Sequence, residues 1–131
     1  MSLLRGLISE NVDRHTKDMI TLTATASITS AAHAGRTLLM GEVGGDAAAT
    51  FTLPAATGTG SIFKFVVSVV NTSNYLIKVA DATDTIDGQI MITDADGTDA
   101  SSMVTAAASD TITLNGTTTG GGAIGDYVEV I

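Results

Sequence analysis

The strongest constraint on this chain is its punctuation. Beyond Arg36, short apolar and β-branched segments recur at intervals of about ten residues, each closed by glycine, asparagine, aspartate or the single proline. An amphipathic helix needs apolar residues every three or four positions over several turns, and no stretch after residue 36 keeps that period. Alternation with period two is the pattern that remains. The expected fold is therefore all-β: eight or nine short strands in an antiparallel β-sandwich or jelly-roll-like body, preceded by an N-terminal arm.

The segments can be named. Ile20, Leu22, Ala24 and Ala26 alternate with Thr21, Thr23 and Thr25, as in a half-buried strand. Further strands are expected at 36–42 (RTLLMGE) and at 49–53, the latter ending at Pro54, which cannot donate to a ladder. The most apolar run, 61–70 (SIFKFVVSVV), reads as a central strand. The short connection from Asn71 to Asn74 then favours an antiparallel hairpin with 75–80 (YLIKVA). Strands are also expected at 85–93, 102–106, 111–114 and 126–131, with Asp87-Gly88 as a turn or bulge and Asn115-Gly116 as a turn. The alanine stretches 31–34 and 106–108 fit single helical turns or close packing equally well. No internal repeat is visible.

Threonine, alanine and glycine account for 53 of 131 residues, beside five Phe and Tyr and no Trp. A single domain of this size buries roughly two-thirds of its unfolded surface. Here that surface is built from small aliphatics, so the core should be thin. Association with further copies is a natural remedy.

Charge divides the chain into two parts. Residues 1–18 balance Arg5, Arg14 and Lys17 against Glu10, Asp13 and Asp18. Residues 19–131 hold three cations and eleven carboxylates, so the body carries the whole net charge of −8. An acidic body repels phosphate backbones, and direct nucleic-acid binding is not expected. In the arm, Leu3, Leu4, Leu7, Ile8 and Val12 recur at helical spacing, interrupted by Gly6. Such a stripe fits a short surface helix or an arm docking on a neighbouring subunit. No apolar run approaches the ~20 residues of a membrane span, and the start makes a poor secretory signal. A soluble protein made in a cytoplasm is expected.

The residues that carry chemistry are sparse. Without cysteine, thiolate metal sites and cysteine nucleophiles are excluded. Asp94, Asp96 and Asp99 suggest a calcium loop, but Gly97 falls fourth from Asp94 where that loop needs glycine sixth, so a solvated turn is expected. His15 and His33 stand in different segments and lack the spacing of a helical zinc pair. No serine sits in a Gly-x-Ser-x-Gly elbow, and the glycine runs have no Walker lysine. Neither an enzyme nor a cofactor site is expected.

Three segments carry a resemblance: DTITLNGTTTGG at 110–121, GDYVE at 125–129, and AATFTLPAATGT at 48–59 leading into IFKFVV at 62–67. Over roughly residues 40–131 the chain resembles the head decoration, or cement, proteins of tailed bacteriophages. The resemblance implies a structural virion protein on the outer capsid surface, a homo-oligomer and often a trimer. Such a protein stabilises contacts between capsomers of the major capsid protein. In that reading Leu3, Leu4, Leu7 and Ile8 are apolar anchors, and Arg5 and Arg14 are pairing cations. The competing expectation is a receptor- or glycan-binding module of a tail fibre or adhesin, which the poverty of aromatic platforms disfavours.

Overall fold

A computed structural model describes residues 18–41, 48–71, 73–93, 100–115 and 122–131. Its regular elements are nearly all strands: β1 (Met19–Leu22), β2 (Ala26–Ser27), β3 (Thr37–Met40), β4 (Ala49–Thr52), β5 (Phe63–Val67), β6 (Tyr75–Lys78), β7 (Gln89–Thr93), β8 (Ala100–Val104), β9 (Thr111–Leu114) and β10 (Tyr127–Val130). One helical turn, α1 (Ser30–His33), stands between β2 and β3. The strands form a sheet ordered β1-β3-β5-β10, a second ordered β2-β4-β6-β9, and a separate β7-β8 ribbon.

The all-β expectation holds, but the antiparallel pairing does not. Within each large sheet three strands run parallel, and only β10 and β9 run against their neighbours β5 and β6. Successive strands from β1 to β6 alternate between the two sheets, so the chain winds around a shared interior three times. Parallel neighbours need a crossover, and here the opposite sheet supplies it. The hairpin expected between 61–70 and 75–80 is corrected on this point: β5 and β6 lie in different sheets. The single strand expected at 20–26 is also broken in two, β1 joining one sheet and β2 the other.

Register makes each turn of the winding equivalent to the next. Ile20, Leu38 and Phe65 are Cα partners along one ladder, and Leu22, Met40 and Val67 along another. In the facing sheet Ala26, Phe51 and Ile77 align, with Ile112 closing the row. Side chains on a strand alternate between faces, so these ladders all point inward. They form one buried cluster with contributions from both sheets. Phe51 sits at its centre, its ring 6.0 Å from Phe65 in the opposite sheet and 6.2 Å from Tyr75. Each such side chain removed from water contributes roughly 1.5–3 kcal/mol. The structural repeat thus exists although the sequence hides it: Met19, Thr37 and Lys64 are equivalent, yet spaced 18 and then 27 residues apart.

Polar groups brought inside find partners. The Tyr75 hydroxyl donates to the Val69 carbonyl at 2.7 Å, which ties sheet β2-β4-β6-β9 to the end of β5. Buried Asn71 accepts from the Ser73 N–H at 2.7 Å and donates to the Asn74 carbonyl at 3.3 Å. At the other end, α1 fulfils the helical reading of 31–34: the Thr29 hydroxyl accepts from the Ala32 N–H as its N-cap. Gly35 follows with φ of +71° and donates to the Ile62 carbonyl at 2.8 Å, reversing the chain into β3. The 106–108 stretch forms a turn, closed by Ser109 N–H to the Ala106 carbonyl.

Candidate interaction surface

Two surfaces follow from this register. On the outer face of sheet β1-β3-β5-β10, one row reads Met19, Thr37, Lys64, Glu129 and the next Thr21, Leu39, Val66, Tyr127. Outward positions of a solvated sheet are ordinarily polar. Here Leu39 and Val66 are half-buried, while Met19 and Tyr127 are 50% and 64% exposed. The Lys64 ammonium lies 4.8 Å from the Tyr127 ring centroid. At an exposed site that contact contributes roughly 0.5–1 kcal/mol. The opposite outer face is hydroxylic, with Ser27, Thr50, Thr52, Thr111 and Thr113 around Leu76 and Lys78.

The second surface is a cleft of about 400 Å³ where the chain crosses from sheet β2-β4-β6-β9 back to the other sheet. Its walls are the crossing at 53–61, the loop at 79–86, Ser30, Phe63 and the end of β10. Leu53, Pro54, Phe63, Val79, Ile86 and Val130 make it apolar, and the Thr57, Thr59 and Ser61 hydroxyls line the rim. Those hydroxyls are chained to one another at 3.4 and 3.3 Å.

Asp84, the acidic side chain among the described residues that line the cleft, is held by its neighbours. Asp81 accepts at one oxygen from the Thr83 hydroxyl at 2.5 Å, the Thr83 N–H at 2.8 Å and the Asp84 N–H at 3.2 Å. These bonds, that of the Thr83 hydroxyl foremost, hold the Asp81 carboxyl below its ordinary value of 3.8. The turn so fixed presents Asp84, whose Oδ2 accepts from the Ala56 N–H at 3.2 Å and joins the two cleft walls.

The residues expected to bind, Leu3, Leu4, Arg5, Leu7, Ile8 and Arg14, lie outside the described residues, as do Asp94, Asp96, Asp99 and His15. His33 is half-buried against its own helix start, with Nδ1 accepting from the Thr29 N–H at 3.0 Å. Sequence reasoning missed Lys64, Leu39, Val66 and Tyr127 as one surface because only the strand pairing brings them together, parallel between β3 and β5 and antiparallel between β5 and β10. Each is an apolar or cationic residue at an outward position of an otherwise ordinary strand. Comparison with protein families, curated proteins and solved structures finds no match for this chain.

Proposed function

We propose that this chain is a structural virion protein of the head decoration kind, whose work is adhesion. In this reading it is a homo-oligomer, a trimer, on the outer capsid surface of a tailed phage. It binds the major capsid protein and stabilises contacts between capsomers. The body is sandwich-like in its layering, with two sheets around one core.

The observation that carries the reading is the outer face of sheet β1-β3-β5-β10, where Met19, Leu39, Val66 and Tyr127 put apolar surface at solvent-facing positions. Lys64 adds a cation to the face of a chain whose net charge is −8. Four strands about 4.8 Å apart present a patch well below the ~800 Å² per partner of a stable interface. A single contact of that size is weak. Oligomerisation and repetition over a shell convert weak contacts into avidity, and binding only the expanded shell stabilises it by mass action.

The arm supplies the second contact, through Leu3, Leu4, Leu7 and Ile8 with Arg5 and Arg14. The test is direct: purified protein added to bare expanded phage heads should appear in electron micrographs as symmetric knobs. Removing residues 2–14 should abolish that decoration while the body stays folded. Undecorated heads with the intact protein, together with saturable binding on a glycan array, would replace this reading with a receptor- or glycan-binding module.

A further inference from the structure

We propose that the cleft between the crossing at 53–61 and the loop at 79–86 is a binding site for a primary alkylammonium group, a compact positive head on a stem of about four or five carbons. A free aliphatic amine and a lysine side chain share that chemistry. The site stands apart from the outer sheet face and does not depend on the virion reading.

Charge is the first argument. No lysine, arginine or histidine is among the described residues that line the cleft, whereas Asp84 is. Its Oδ2 accepts from the Ala56 N–H at 3.2 Å, and its Oδ1 has no partner among the described residues. A carboxylate oxygen left open in this way attracts a cation and repels an anion, in a chain whose net charge is −8. One open oxygen suits an ammonium, a point charge, better than a guanidinium, whose planar fork takes two.

Shape is the second argument. Leu53, Pro54, Phe63, Val79, Ile86 and Val130 wall about 400 Å³, at the small end of the roughly 300–1,000 Å³ of ligand clefts. That room suits an aliphatic stem. Phe63 and Val130 are partners across β5 and β10, so this wall belongs to the sheet and not to a loop. At the rim, Thr57, Thr59 and Ser61 alternate with Gly58 and Gly60, which take left-handed backbone with φ of +69° and +70°. The three hydroxyls stand in a hydrogen-bonded chain. An ammonium has three N–H donors and no acceptor, so a carboxylate with hydroxyl oxygens nearby satisfies it.

Preorganisation is the third argument. Asp81 fixes the turn before Asp84 by accepting from the Thr83 and Asp84 N–H groups, and the Ala56 N–H holds the Asp84 carboxylate. Both walls are therefore set before a ligand arrives, and less ordering opposes its binding.

The test is an NMR titration of the isotope-labelled full-length chain with n-pentylammonium chloride. The amide signals of Ala56 and Asp84 and the methyl signals of Leu53, Val79 and Val130 should move saturably, with a dissociation constant on the order of millimolar. Leu39 and Leu76, on the two outer faces, should not move. 1-Pentanol, the same stem without the charge, should bind the unaltered chain about tenfold more weakly. Asp84→Asn keeps an oxygen for the Ala56 N–H and should weaken the amine by a similar factor while leaving the alcohol unchanged. Nα-acetyl-lysine N-methylamide separates the two sources. Binding as tight as that of pentylammonium assigns the site to a lysine of a protein chain, and much weaker binding assigns it to a free amine. Equal affinity for amine and alcohol, no saturation by either amine at tens of millimolar, or shifts at Asp87 and Asp110 as large as those at Asp84 would overturn the proposal. Saturable shifts of the cleft signals with a neutral monosaccharide, and none with the amines, would overturn it in favour of a sugar site.

Discussion

Lys64 and Tyr127 meet diagonally across the β5–β10 ladder, with the ammonium 4.8 Å from the ring centroid on the solvent side of the sheet. The pair is a surface device. Neither side chain enters the core, so Tyr127→Ser should change unfolding free energy by no more than about 1 kcal/mol. In a shell-binding assay the same variant should lose at least tenfold in affinity. A urea titration beside that assay separates the two effects.

Phe65 behaves in the opposite way. It is fully buried, stacked on Phe51 and in line with Ile20 and Leu38. Truncation to alanine should cost roughly 3–5 kcal/mol, whereas Val66→Ala, one residue on and facing out, should cost about 1 kcal/mol or less. Denaturant midpoints for the two variants measure the contrast.

Tyr75 joins the sheets through a single oxygen. Tyr75→Phe keeps the ring against Phe51 and strips the Val69 carbonyl of a 2.7 Å donor in a part-buried place. The expected loss is about 1–2 kcal/mol, with faster amide exchange around residues 68–71 as its local signature.

Asp81 gives the chain one acid-sensitive turn. Its folded carboxyl titrates below 3.8 because the ionised form is hydrogen-bonded. It therefore contributes stability that is present above its unfolded value and is lost as pH falls through the folded value. Urea midpoints should decline as pH drops below about 4. Asp81→Asn should remove Asp81's share of that decline and lower the midpoint at neutral pH.

Gly35 turns the chain from α1 into β3 with φ of +71°, and an added Cβ would meet nothing within 4 Å. Gly35→Ala should therefore cost only the backbone strain, about 1–2 kcal/mol. Thermal unfolding would show it.

Much of the strand content was legible because alternation is a local signal. Leu38 and Met40, Ala49 and Phe51, and Tyr75 and Ile77 all face inward as their period requires. The break between β1 and β2 was not legible, because Leu22, Ala24 and Ala26 continue the alternation straight through it. Pairing was hidden for a different reason. The residues 71–74 have turn chemistry whether the chain reverses beside itself or passes to a facing sheet, and only the winding decides. The cleft was equally invisible: Ala56 and Asp84 stand 28 positions apart and meet through a hydrogen bond that no spacing announces.

The late partners of β5 and β6 set an order on the chain's assembly. Winding from β1 to β6 joins segments a few dozen residues apart, but β10 returns from residue 127 to lie beside residue 66. A ribosome must release the chain past Val130 before Phe63–Val67 gains its second neighbour. Until then the newborn coil has an open, growing side. Closure of this long loop, slow because its entropy is spent before any contact forms, is the step at which a chaperone or a stray copy would find it.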